Sequence, residues 1–302
     1  MRWQVGEVRV TTVIEQALHG LEIVIADATP ANVKQIGWLV PDFADADGAM
    51  HGLIQAFIIQ APGTTIVVDT CVGDDKARLC VEAWNRSQTG FLARFREAGF
   101  DPADIDVVLC THLHVDHVGW NTMWNGSEWL PTFPNARYLF ADVELAYWQG
   151  LRTQPPVDPS TLADPLEALL AAFQADQRQT HVDSIKPILD AGLADIVRTD
   201  HRICKEVALV PTPGHTPGHV SVMIQSGSEA ALITGDCIHH PCQMAQPGWT
   251  TRIDSDAASG IATRMQLLTR LAGTETLLMG SHFAEPTTGH VVVDGDGFRL
   301  VR

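Results

Sequence analysis

The run His112-Leu113-His114-Val115-Asp116-His117 gathers three imidazoles and a carboxylate into six residues, in a chain whose thirteen histidines could otherwise lie anywhere. Imidazole nitrogen and carboxylate oxygen bind zinc at about 2.0–2.2 Å and also accept manganese, cobalt or iron, so the donors define a metal site without choosing the metal. An isolated histidine is more often a hydrogen-bonded structural or surface residue. A cluster reverses that balance. Burying four ionisable groups without partners costs several kcal/mol, whereas a bound cation makes the same arrangement favourable. Four donors also exceed what one tetrahedral ion uses with ease, which points to two divalent ions, zinc first among the candidates.

Such a cluster needs rigid elements beneath it. The apolar run 105–110 reads as a buried strand, and the histidines fall just beyond its C-terminal end, where loops on a sheet commonly carry chemistry. Residues 4–15, 53–60 and 65–69 alternate polar and apolar at a period near two, with a hairpin turn at Ala61-Pro62-Gly63-Thr64. Residues 89–98 have helical spacing, closed by Gly99. Helices are predicted over 141–150 and 160–190, separated by the breaker-rich stretch 154–159. Strands follow at 206–210, 220–225, 230–234 and 276–279, a helix at 256–271, and a last hairpin over 290–301 that turns at 294–297. Two β-rich halves, each followed by helices, predict an α/β fold of α+β type, with two sheets face to face and helices outside. The chain reads as one domain over 1–302, carrying an N-terminal extension at 1–50 and a helical insertion at 151–195.

A net charge of −16 repels a phosphate backbone, which argues against nucleic acid as a partner. The N-terminus lacks the pattern of a secretory leader, and no segment approaches the roughly 18 apolar residues that span a bilayer. The expectation is therefore a cytoplasmic protein without a membrane partner. Six cysteines occur without a CxxC pair and read as reduced, buried thiols. The apolar stretch with Ile36, Trp38, Leu39 and Phe43 could cover the site, contact a second copy in a homodimer, or pack on its own domain.

The sequence resembles the metallo-β-lactamase superfamily, whose HxHxDH motif is matched by His112, His114, Asp116 and His117. Later elements recur in order: Pro213-Gly214-His215-Thr216-Pro217-Gly218-His219, Ile233-Thr234-Gly235-Asp236 and Gly280-Ser281-His282, with Asp69 in Ile66-Val67-Val68-Asp69-Thr70 upstream. The resemblance implies a four-layer αββα sandwich of two mixed sheets. It implies that His112, His114 and His215 hold one ion and Asp116, His117 and His282 a second, with Asp236 bridging. A hydroxide between the ions would be the nucleophile, and Asp116 would accept or deliver protons. Asp69 would orient a ligand imidazole by accepting its other N–H. His219 reads as the start of the next strand, and Cys237 should face the core, because neighbours on extended backbone point to opposite faces.

Ligands do not choose the substrate, since many chemistries share such sites. Candidate pocket walls are the aromatics Trp120, Trp124, Trp129 and Phe133, together with Trp38 and Phe43 in the N-terminal extension and Trp249. The motifs are similar to those of quorum-quenching homoserine lactonases, in which a tyrosine three residues past the bridging aspartate holds the carbonyl. Here that position is His239, which could donate a hydrogen bond to an oxyanion. Residues 235–240 also look like the methyl parathion hydrolase branch. The leading expectation is a binuclear zinc hydrolase of a small ester or lactone. Hydrolysis of organophosphate triesters or dehalogenation of aromatics on the same metals is the alternative, and a mononuclear-iron redox enzyme is third.

Overall fold

Strand patterning in the sequence translates into three sheets in the computed structural model, which describes residues 1–153 and 155–302. Gln154, the first residue of the predicted breaker stretch, lies outside the described residues. The strands are β1 (Arg2–Val5), β2 (Val8–Leu18), β3 (Gly52–Ala61), β4 (Thr64–Val68), β5 (Val107–Leu109), β6 (Thr122–Trp124), β7 (Trp129–Pro131), β8 (Arg137–Ala141), β9 (Ala194–Val197), β10 (Val207–Pro211), β11 (Val220–Ser226), β12 (Glu229–Ile233), β13 (Leu277–Met279), β14 (Thr288–Asp294) and β15 (Gly297–Val301). The helices are α1 (Leu21–Val24), α2 (Pro30–Val33), α3 (Phe91–Glu97), α4 (Asp142–Arg152), α5 (Pro165–Thr180), α6 (Lys186–Asp190), α7 (Cys242–Ala245) and α8 (Ala257–Leu271). A seven-stranded sheet has the order β1-β2-β3-β4-β5-β8-β9 and a six-stranded sheet the order β10 to β15, while β6 and β7 pair alone. Both larger sheets are mixed: β4, β5, β8 and β9 run parallel with β3 antiparallel, and the parallel pair β12–β13 sits among antiparallel neighbours. This is the α/β class expected, with mixed sheets and helices.

The described residues divide into two compact units that interleave along the chain. The first comprises Met1, Thr11–Glu15 and Ala56–Val197, and the second Arg2–Val10, Gln16–Gln55 and Arg198–Arg302. The N-terminal 1–50 segment falls in the second unit except for Met1 and Thr11–Glu15. In the first unit Phe91 stacks on Trp120 and Phe95 packs on Phe100 and Phe133, and the strand residues Val68, Val108, Leu109 and Phe140 are buried. In the second, Leu39 and Phe43 join a core with Leu232, Met244, Leu268, Leu278 and Phe283. Of the three roles open to the apolar stretch around Leu39, packing on its own unit is what the structure shows.

Besides the unpredicted pair β6–β7, two elements depart from the sequence reading. The predicted helix over 160–190 breaks at a π-helical turn, His181–Ile185, between α5 and α6. Pro187 supplies the reason, because it has no N–H for the carbonyl four residues earlier and its ring crowds that carbonyl. That carbonyl belongs to Asp183, and it accepts instead from Lys76 Nζ (3.3 Å) and from Thr122 Oγ1. The Asp183 carboxylate takes both amino groups of the buried Arg78, at 2.8 and 3.1 Å. Burial pushes the Lys76 ammonium down to about 7, against the upward pull of Asp183. The second departure is β9, a strand at the end of the supposed helical insertion, paired parallel to β8.

Candidate metal centre

In the first unit the candidate residues follow from strand pairing. Strands β4 and β5 are parallel with Val68 opposite Leu109, so the residues after them, Asp69 and Thr111 to His117, emerge side by side. The Asp69 N–H donates to the Leu109 carbonyl at 2.8 Å and Asp69 holds φ at 58°, a left-handed conformation that is costly for a residue other than glycine. The following loop is stitched to the histidine run: Thr70 N–H donates to the His117 carbonyl, and Gly119 N–H to that of Cys71, each at 2.7 Å. Gly119 is required there, since a Cβ would fall 1.8 Å from the Val72 carbonyl oxygen.

The Asp69 carboxylate is spent on this run. It accepts from Thr111 N–H (2.7 Å) and Thr111 Oγ1 (2.9 Å), and its Oδ2 lies 2.9 Å from His117 Nδ1. Thr111 Oγ1 in turn lies 3.1 Å from His112 Nδ1. The His112 ring centroid is 4.5 Å from that of His114 and 4.1 Å from that of His117. Asp116 Oδ1 stands 3.8 Å from His117 Nε2.

In the second unit the candidates again follow strand ends. His215 sits in the loop joining β10 to β11, and Asp236 and His282 follow the parallel neighbours β12 and β13. Gly214, at φ 136°, lets this loop lie on α8, where a Cβ would come within 2.3 Å of Gly260. His215 Nδ1 lies 2.8 Å from Asp254 Oδ1, and His282 Nδ1 lies 2.9 Å from the Leu53 carbonyl oxygen. The Asp236 carboxylate faces three imidazoles: Oδ2 is 3.5 Å from His215 Nε2 and 3.1 Å from His239 Nε2, and Oδ1 is 3.2 Å from His282 Nε2. His219 precedes β11 and its Nε2 accepts from the Asp236 N–H at 2.8 Å. Cys237 is buried in the core, where desolvation pushes its thiol up to about 12.

These contacts provide a test of fit to a cation. A carbonyl oxygen or an ionised carboxylate only accepts, so Nδ1 of His117, His215 and His282 carries the hydrogen, and Nε2 of the neutral ring carries the lone pair. Burial alone would raise the Asp254 carboxyl, but the hydrogen bonds it accepts from His215 and Thr251 hold it below the ordinary carboxylate range. Lone pairs on His215 and His282 directed at a buried carboxylate repel it unless a cation lies among them. The donor set therefore fits divalent metal, and the metal's identity is not fixed by it. His239 is 3% exposed, and burial pushes its imidazole below the ordinary range while Asp236 pulls the other way.

The aromatic candidates are placed differently. Trp120 is core: its indole N–H donates to Glu15 Oε1 at 2.7 Å and its ring stacks on Phe91. Phe43 is buried against Trp38, His240 and Phe283, and Trp249 packs partly buried on the same core. Trp124 is 41% exposed against Trp129, whose other neighbour is the Lys76 ammonium 3.7 Å from the ring centroid. Sequence reasoning missed Asp254 and Thr111. Asp254 lies 39 residues from the imidazole it holds and carried no local signal. Thr111 adjoins the histidine run and was legible as a hydroxyl beside a candidate ligand.

The sequence model of the Metallo-beta-lactamase superfamily matches residues 51–274. Among curated relatives, the N-acyl homoserine lactonase AttM of Agrobacterium fabrum is 26% identical over 220 residues, covering 70% of each chain. The AttM of Rhizobium radiobacter is 26% identical over 167 residues, 53% of this chain and 52% of that protein, so the match spans about half that relative's length. Among solved structures, the dizinc quorum-quenching lactonase AidC superposes with a TM-score of 0.76 at 21% identity, over 100% of this chain and 96% of that one. At that identity the likeness speaks for the fold.

Proposed function

Because the chain belongs to the metallo-beta-lactamase superfamily, we propose that it is a metal-dependent hydrolase of a small ester or lactone. In this reading, carried over from the motifs of that family, His112, His114 and His215 would hold one divalent ion and Asp116, His117 and His282 a second, with Asp236 shared between them. The observation that carries it is the preset tautomer of His215 and His282, whose lone pairs meet the buried Asp236 carboxylate. Bound divalent ions would acidify a water and polarise the attacked carbonyl. Asp116, near His117 Nε2, is the carboxylate assigned to receive the proton released in the attack and to return it to the leaving oxygen. His239 is assigned to the carbonyl oxygen, because it is the neutral imidazole beside Asp236 that the ligand set does not use. The lactone preference is supported by the AttM relatives. Among the divalent ions that imidazole and carboxylate donors accept, zinc is the one we propose.

Metal analysis of the purified protein, joined to a screen of acyl-homoserine lactones, aryl esters, thioesters and phosphotriesters, tests the reading. Two divalent ions per chain and lactone or ester turnover are expected. One iron per chain with oxygen uptake would overturn the hydrolase, and turnover of phosphotriesters alone would overturn the substrate class. Among the described residues no helix is long and apolar enough to cross a membrane.

A further inference from the structure

We propose that Glu144 and Gln177 are positioning residues for the candidate ligands His112 and His114, acting through the peptide groups of the one residue that separates them. Leu113 lies on the loop beyond β5, and its two peptide groups are gripped by different helices. Its N–H donates to Glu144 Oε1 at 3.0 Å, from the first turn of α4. Its carbonyl accepts from Gln177 Nε2 at 3.0 Å, from the last turn of α5. Both side chains are buried.

Each helix adds an aromatic residue one turn from its polar one. Four residues after Glu144, Trp148 donates its indole N–H to the same Oε1 at 2.7 Å, and its ring stands edge-on to His114 with centroids 5.3 Å apart. Four residues before Gln177, Phe173 stands edge-on to His114 at 5.1 Å. Residues four apart share one face of a helix, so α4 and α5 each present a backbone-holding polar group and a ring-holding aromatic to the same loop. A buried carboxylate is costly unless its oxygens are satisfied, and the two N–H donors at Glu144 Oε1 come from the loop and from the ring that braces His114. The loop cannot twist about Leu113 without breaking one of these bonds. Segment 151–195, an insertion by sequence, thereby helps hold two candidate ligands through α5.

The inference rests on the metallo-hydrolase reading, and its test separates the two. The metal-free wild type and the variants Glu144→Ala, Glu144→Gln and Gln177→Leu are titrated with cobalt(II) against a competing chelator, with the visible spectrum of the bound ion recorded. Glu144→Ala and Gln177→Leu should each weaken cobalt binding by about 10- to 100-fold, the range found when groups that orient ligands are removed, and shift the cobalt bands. Glu144→Gln keeps an oxygen for the Leu113 N–H and should recover most of the affinity. Gln177→Leu serves if Glu144→Ala does not fold. Variants with lowered metal-free melting temperature but wild-type affinity and spectrum would overturn the clamp alone. A wild type that takes up no cobalt would overturn the metallo-hydrolase reading and the clamp with it.

Discussion

Replacing Asp254 by Asn isolates the support of one candidate ligand, because the two side chains have nearly the same shape. Asp254 Oδ1 takes His215 Nδ1 at 2.8 Å and Thr251 Oγ1 at 2.6 Å, while Oδ2 takes the Thr251 N–H at 2.9 Å. In the amide, one oxygen becomes a donor. If the amide oxygen stays toward His215, the new NH2 opposes the Thr251 N–H. If it turns round, the NH2 opposes His215 Nδ1–H and favours the other tautomer, whose Nε2 has no lone pair for a cation. Either way a charge-assisted hydrogen bond is lost at a buried site, worth about 1.5–3 kcal/mol, which is about 10- to 100-fold in metal affinity. Chelator competition with zinc, on protein whose metal-free melting temperature is measured alongside, reads the effect directly. The expected result is weaker zinc binding together with a melting temperature of the metal-free protein lowered by several degrees, in a protein that still folds. Undiminished affinity in a folded Asp254→Asn protein refutes the argument that this carboxylate sets the tautomer of His215.

Three further outcomes follow from buried groups elsewhere. Asp183→Ala strands the Arg78 and Lys76 cations, both buried, and should cost about 3–5 kcal/mol in urea unfolding; a loss below 1 kcal/mol would show that the cations find other partners. Glu15 accepts from Val72 N–H, Gly73 N–H and Trp120, yet burial dominates and lifts its carboxyl to about 6 from 4.5. Between those values the folded chain holds a proton that the unfolded chain has lost, so this contribution is whole below pH 4.5 and falls away as pH rises toward 6. The metal-free protein should lose on the order of 2 kcal/mol across that window, and a Glu15→Gln variant with the same slope would contradict the assignment. Gly214→Ala forces a Cβ into Gly260 and should lower both melting temperature and zinc affinity, because the loop that carries His215 must lift from α8; zinc affinity equal to wild type would show that the loop tolerates the shift.

The sequence alone determined whatever depends on neighbours along the chain. Alternation set most strands of both sheets, the Asp294-Gly295-Asp296-Gly297 turn set the last hairpin, and the crowding of His112, His114, Asp116 and His117 announced a metal before any fold was known. Short strands were less legible: β6, β7 and β9 have three or four residues each, too few for a period to register. The break before α6 was written in Pro187, but what the freed Asp183 carbonyl would bond, Lys76 and Thr122, depends on residues 107 and 61 positions away. Tertiary structure likewise decided the division of labour among similar side chains. Trp120 carries the same ring as Trp148, yet the first is tied to Glu15 in the core and the second stands against His114. Composition shows which groups can bind a cation, whereas the tautomers of His117, His215 and His282 are set by Asp69, Asp254 and the Leu53 carbonyl. Those partners are 48, 39 and 229 residues distant, because a hydrogen bond is chosen by position in space and leaves no periodic mark on the chain.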